Sequence, residues 1–299
     1  GRDGAGGPAA TLQCVVDRRL LFVSGKGGVG KSAVAAALAI AAARCGNTVL
    51  VIGMTDRLGL AVHFGRDDLP YRPVEVAPGV HGAGVDRARA LDEYLRLQAH
   101  IPRLAPTAPL TRALNVLVET VPGIREIISI GKPVYEAWSD AWDIVIVDAP
   151  PLGQLASYLR APRAIAGLVP SGRVKEQAAA MQETIEDPAY TGLLLVTTAE
   201  ELPATETRDA RARIGAEATI DIVAVVVNRI VPALGLSAET VAALPPGPHR
   251  DAARLHRGVH GSQQRWLGEF PGALRLPYLF GMHTPAEVVA RLADAVEEL

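Results

Sequence analysis

The run LFVSGKGGVGKS, Leu21 to Ser32, constrains this chain more than anything else in it. It spells GxxxxGK[ST] between an apolar segment and an Ala-rich one, a loop whose backbone N–H groups turn inward around anionic oxygens. Gly25, Gly27, Gly28 and Gly30 permit the positive φ angles that such a loop needs. Lys31 places a point charge between the β- and γ-phosphates, and the Ser32 hydroxyl is a ligand for Mg2+. The flanks agree with the motif. Arg19 to Val23 is a short β-rich run, and Lys31 to Arg44 has the length and composition of a helix closed by Gly46. Binding of a nucleoside triphosphate is therefore expected.

Further β-rich runs recur at Thr48–Gly53, Asp143–Val147, Gly192–Thr197 and Ile222–Asn228. Each is apolar on both faces and separated from the next by helical pattern, as in a sheet covered by helices on both sides. The fold expected is α/β, a doubly wound, mostly parallel sheet in one domain over residues 19–299, after a flexible Gly/Ala lead at 1–12. Helical patterns at 87–142, broken by Pro102, Pro106 and Pro109, and at 155–186 read as a smaller helical cap inserted over the carboxyl ends of the strands. The apolar positions Leu91, Leu95, Leu110, Leu114, Leu117 and Val121 read as helix core.

At 299 residues, half of them apolar and with a formal net charge of −2, the chain can bury one large core. Its longest apolar stretch, Ala33 to Ala43, is too short to span a bilayer, and no secretory leader pattern opens the sequence. The expectation is a cytoplasmic protein without direct membrane insertion. Aromatics are scarce and the arginines of DARARI and RDAARLHR form only local basic faces, so no nucleic-acid partner is expected. Cys14 and Cys45 form no ligand or disulfide pattern. His256 and His260 stand four apart, but Gly258 lies between them and no further ligand has metal-site spacing.

VDAPPLGQLASYLRAP, Val147 to Pro162, puts an aspartate at the tip of the third run. Asp148 there is placed to hold Mg2+ or its water, and Gly153 can bring a backbone N–H to the γ-phosphate on an approach stiffened by Pro151.

With its extra lysine, Lys26, the loop KGGVGKS resembles the deviant Walker A ATPases, in which that lysine reaches across a dimer interface to the facing nucleotide. Asp148, Pro151, Gly153 and Leu159 fall on the DxAPxGxxLRxL switch of the arsenical-pump and tail-anchored-protein-targeting branch. Pro122, Gly123, Ile124 and Glu126 match its PGIxE motif, VTTAEELPATET its V(T)xPExxPVxET stretch, VVVNRIVP its adenine loop, and LRLPYLFG its late LPxxxxxxG segment. The pattern is most similar to the stand-alone anion-transporting ATPases that high-GC bacteria encode as pairs. The resemblance implies ATP and Mg2+ as ligands, held by Gly25, Lys26, Gly27, Gly28, Val29, Gly30, Lys31, Ser32, Ala33, Asp148, Gly153, Asn228, Arg229 and Pro277, with Ser32 and Asp148 on the metal. Lys26, Lys31 and Asp56 are the expected catalytic set. Lys26, without an evident partner in its own subunit, would act in trans, and the Asn228 amide would face adenine. A homodimer or a heterodimer with a paralogous ATPase is implied, as is a membrane-protein or tail-segment cargo.

One departure bears on catalysis. Where the branch has STDPAHxL this chain has MTDRLGL, with Asp56 kept and Arg57, Leu58 and Gly59 replacing Pro, Ala and His. Asp56 can then serve as a general base, worth about 10² to 10⁴ in rate, or merely cap the next helix. With only two cysteines and three methionines, neither thiolate capture of a metalloid nor a Met-rich cargo groove is indicated.

Overall fold

A computed structural model describes residues 17–99, 123–217 and 219–298. Its strands are β1 (Leu20–Gly25), β2 (Val49–Gly53), β3 (Val74–Ala77), β4 (Val80–Gly84), β5 (Ile144–Asp148), β6 (Thr191–Thr198), β7 (Ile222–Ile230) and β8 (Leu274–Pro277). The helices are α1 (Lys31–Arg44), α2 (Arg57–Ala61), α3 (Arg87–Ala99), α4 (Ile124–Trp138), α5 (Leu152–Leu168), α6 (Arg173–Glu186), α7 (Glu201–Glu217), α8 (Ala238–Ala243), α9 (Pro248–Leu267) and α10 (Pro285–Glu297). The strands make one eight-stranded sheet in the order β3-β4-β2-β5-β1-β6-β7-β8. All pairings are parallel except that of β3 with β4. This is the expected doubly wound α/β architecture.

Strand alternation sends successive residues into two separate cores. Leu21 and Val23 of β1, with Val49, Val51, Ile144, Ile146, Leu194 and Val196, face α1 and α10. Leu20 and Phe22, with Leu50, Ile52, Val145, Val147, Leu193 and Leu195, face α4 to α7. Helix α1 is apolar around most of its girth and buries alanines on several sides, because it lies between the sheet and α10. The register fixes the site: Val23 of β1 and Gly53 of β2 both stand opposite Asp148 of β5, and Gly25 stands opposite Val196 of β6.

Ile130 and Val134 of α4, Leu155 and Leu159 of α5, and Met181 and Ile185 of α6 belong to the second core, so the three helices form a layer over a sheet face. The segment 155–186 is two helices, parted at Pro170 and at Gly172, whose φ is 100°. Leu91 is buried as expected. Pro102, Pro106, Pro109, Leu110, Leu114, Leu117, Val121 and Pro122 lie outside the described residues, as do Cys14 and the side chain of Leu95. At the start of α4, Gly123 has φ 89° and its N–H donates to Glu126 Oε2 at 3.0 Å, so the Gly-Ile-x-Glu pattern works as a helix start. Among the described residues, no helix is long and apolar enough to cross a membrane.

Candidate functional site

The loop between β1 and α1 is built on close backbone approach. A Cβ on Gly25 would stand 2.1 Å from the Val196 carbonyl oxygen of β6, so only glycine lets the chain leave the sheet there. Gly28 and Gly30 take φ 85° and 94°. Gly30 caps α1 without a side chain, and the first turn of that helix carries no acidic residue. Its leading N–H groups and the positive end of its dipole therefore stand open to an anion. Val29 is buried, and Ala33 lies in the buried start of α1.

Ser32 and Asp148 meet as the motif requires. Ser32 Oγ donates to Asp148 Oδ2 at 2.6 Å. Asp148 is 4% exposed, and burial raises its carboxyl to about 6 against the opposing pull of the Ser32 hydrogen bond and the Lys31 charge; Asp56 adds to the rise. Burial likewise lowers the Lys31 ammonium, an effect that Asp148 and Asp56 oppose. Lys31 Nζ donates to the Lys26 carbonyl at 3.3 Å and so lies across the loop. A hydroxyl and a carboxylate in contact, one of them desolvated and short of positive charge, are hard oxygen donors of the kind Mg2+ takes. The residues present fit that ion.

Asp56 feels both Lys31 and Asp148 electrostatically, yet its Oδ1 accepts the Gly59 N–H at 2.7 Å and caps α2. Gly59 makes this fit possible, since a Cβ there would fall 2.2 Å from Asp56 Oδ2. The replacement sequence Arg57-Leu58-Gly59 thus favours the capping alternative. Gly153 is exposed in the first turn of α5, beside the tip of β5.

Two expectations are corrected. Lys26 does have a partner in its own chain: its Nζ donates to Glu206 Oε1 of α7 at 2.7 Å. Asn228 is buried and both ends of its amide are engaged. Nδ2 donates to the Val29 carbonyl of the phosphate loop at 2.9 Å, and Oδ1 accepts the Arg229 N–H at 2.9 Å. The amide is turned to the loop and not to an open base site, because Gly30 leaves the room for it: a Cβ on Gly30 would sit 2.5 Å from Nδ2. Arg229 and Pro277 are exposed, at the ends of the adjacent strands β7 and β8.

His256 and His260 share a face of α9, which continues through Gly258, but their ring nitrogens contact the Pro232 and Val231 carbonyls. No cluster of three or more metal-ligating side chains is found among the described residues. Glu206 and Gln263, which contact the site or its supports, were not singled out from sequence. Glu206 lies in a stretch that matched a family motif; Gln263 carries no sequence signal.

Comparison with known proteins gives the family. Residues 18–171 and 167–241 match the family described as anion-transporting ATPase. The chain is 32% identical over 234 residues to ATPase BagA of Mycobacterium tuberculosis, covering 72% of this chain and 66% of that one. It is 28% identical over 159 residues to ATPase GET3 of Podospora anserina, 51% of this chain and 46% of that one. ATPase get3 of Schizosaccharomyces pombe is 29% identical over 151 residues, 48% and 43% respectively. The match thus spans 66% of the mycobacterial relative's length and less than half of the two fungal ones. The chain belongs to the anion-transporting ATPase family.

Proposed function

We propose that this protein binds ATP with Mg2+ at the Gly25–Ser32 loop and hydrolyses it in a two-site assembly, with the nucleotide cycle moving its helices against a cargo or membrane partner. The observation that carries the reading is the Ser32–Asp148 contact of 2.6 Å at the uncapped start of α1, beside Lys31. Bound there, Mg2+ would supply charge neutralisation for the triphosphate. Lys31 holds the β- and γ-phosphates, Ser32 and Asp148 hold the ion, and the Gly25–Gly30 backbone and the Gly153 N–H orient the terminal phosphate. Asp56 orients the attacking water. Lys26 acts on the facing subunit's nucleotide after leaving Glu206. The domain reading goes with this: one ATPase domain over 19–299, with the helices of 87–142 and 155–186 as a helical cap inserted in it. The resemblance to tail-anchored-protein-targeting ATPases supports a membrane-protein or tail segment as cargo and the cytoplasm as location.

A second reading has one observation in its favour. Asp56 spends Oδ1 on the Gly59 N–H, which leaves it less free to direct water. On that reading the subunit hydrolyses slowly alone and senses nucleotide beside a paralogue with the orthodox loop. The primary test is titration calorimetry on Lys31→Ala. Its ATP affinity should fall by about 100-fold or more, the scale of losing a desolvated charge contact with the phosphates, while the fold persists. Unchanged affinity in the folded variant would remove the site assignment.

A further inference from the structure

A continuous set of hydrogen bonds runs from α9 to the phosphate loop. Of the residues on α9 only Gln263 and Leu267 are buried, so a carboxamide has been taken out of water on a helix that is otherwise wet. Both of its ends are used. Gln263 Nε2 donates to the Arg229 carbonyl at 2.9 Å, and Oε1 accepts the Val231 N–H at 2.8 Å. One and two turns earlier on the same face, His260 Nδ1 and His256 Nε2 lie 2.8 and 2.7 Å from the Val231 and Pro232 carbonyls, which can only accept.

The residue whose carbonyl takes one of the two Gln263 bonds is unusual. Arg229 has φ 59° and is the one non-glycine residue with positive φ among the described residues. An L-residue with a Cβ avoids that region, and its neighbours must hold it there. In that conformation the Arg229 N–H meets Asn228 Oδ1, which turns the other end of the amide, Nδ2, onto the Val29 carbonyl. Because a trans peptide points its C=O and N–H in opposite directions, fixing the Val29 carbonyl on Asn228 fixes the Gly30 N–H facing away from Asn228. A freed Val29–Gly30 peptide could rotate and take that donor out of line.

We infer that Gln263 is a positioning residue for the phosphate loop, acting through Arg229 and Asn228 on the Val29–Gly30 peptide. The inference rests on the reading of Gly25–Ser32 as a phosphate site. Its consequence is that the ligand feeling the loss of Gln263 is the polyphosphate, whether or not a base is attached. It also makes α9, which lies outside the loop and switch segments, a route by which a partner's contact could reach nucleotide affinity.

The experiment is calorimetry on the full chain with Mg2+–ATP and, separately, Mg2+–tripolyphosphate, which has no base. Gln263→Leu, which removes both hydrogen bonds at similar volume, should weaken the two ligands by the same factor, about tenfold. Added to Asn228→Ala it should cost little more, because both act on one peptide. If Gln263→Leu does not fold, Gln263→Glu keeps the acceptor for Val231, removes the donor to Arg229 and should weaken both ligands alike. Unchanged tripolyphosphate affinity in a folded variant overturns the inference, and so does a loss confined to ATP or full additivity with Asn228→Ala. Failure of the wild-type chain to bind tripolyphosphate would overturn the phosphate-site reading itself, a result distinct from these.

Discussion

Burial of Asp148 at the tip of β5 lifts its carboxyl to about 6 because lost hydration outweighs the Ser32 hydrogen bond and the Lys31 charge. The ordinary value is 3.8, so the native protein holds this proton more tightly than the unfolded chain does. Ionised Asp148 therefore destabilises the ligand-free fold at pH above about 6, and that cost fades as pH falls through about 6 towards 4. Asp148→Asn, which still offers an oxygen to Ser32, should raise the stability of the free protein at pH 7.5 by about 1 to 3 kcal/mol, with the gain shrinking at pH 5. Thermal melts at the two pH values check this; a variant less stable at pH 7.5 contradicts it. The Lys26–Glu206 pair is a weaker restraint. Its side chains are 26% and 46% exposed, and exposed ion pairs are worth about 0 to 1 kcal/mol. Freeing Lys26 thus costs little against the charge of a triphosphate. Glu206→Gln should leave the melting temperature unchanged and raise ATP turnover by up to about fivefold. Turnover at or below the wild-type rate would show that the pair does not restrain Lys26.

At the scale of elements, the loop between β1 and α1 separates packing from binding. A Cβ on Gly25 meets the backbone of β6 at 2.1 Å, whereas one on Gly27 meets nothing within 4 Å. Gly25→Ala should lower unfolding stability by about 1 to 3 kcal/mol, and Gly27→Ala should stay within about 0.5 while weakening ATP binding. Urea unfolding with calorimetry distinguishes the two; equal stability losses would contradict the loop geometry. The same local sterics decide which elements were legible in the sequence. β1 and α1 were readable because a motif with fixed spacing pins their ends. β4 was not: Gly82 and Gly84 sit where a Cβ would come within 2.9 and 2.8 Å of Leu69, so packing demands glycine and removes the β-branched signal. β8, four residues long at the sheet edge, reads as loop. Ser32 and Asp148 were legible as separate motif ends, and the fold brings them together. Lys26–Glu206 and Gln263–Arg229 were not, since no local pattern encodes a pairing across 180 or 34 residues.

For the whole molecule, the family match and the sheet agree on an architecture whose phosphate loop opens at the carboxyl ends of the central strands. On the proposed two-site reading, the task of Lys26 falls to assembly. A cation supplied in trans to phosphoryl transfer is worth about 10³ to 10⁵ in rate, far above the value of its surface pair with Glu206. If two such chains face each other, Lys26→Ala should retain ATP affinity and lose turnover, and Lys31→Ala should lose affinity. Each variant alone is then inactive, but a mixed dimer unites one intact binding site with one intact Lys26 reaching it. Turnover measured on mixtures of the two variants, with mixed-dimer formation verified by mass, tests the two-site account most directly. The account predicts recovery of roughly a quarter of wild-type activity at equal mixing, since half the dimers are mixed and each has one working site. No recovery from verified mixed dimers would contradict it.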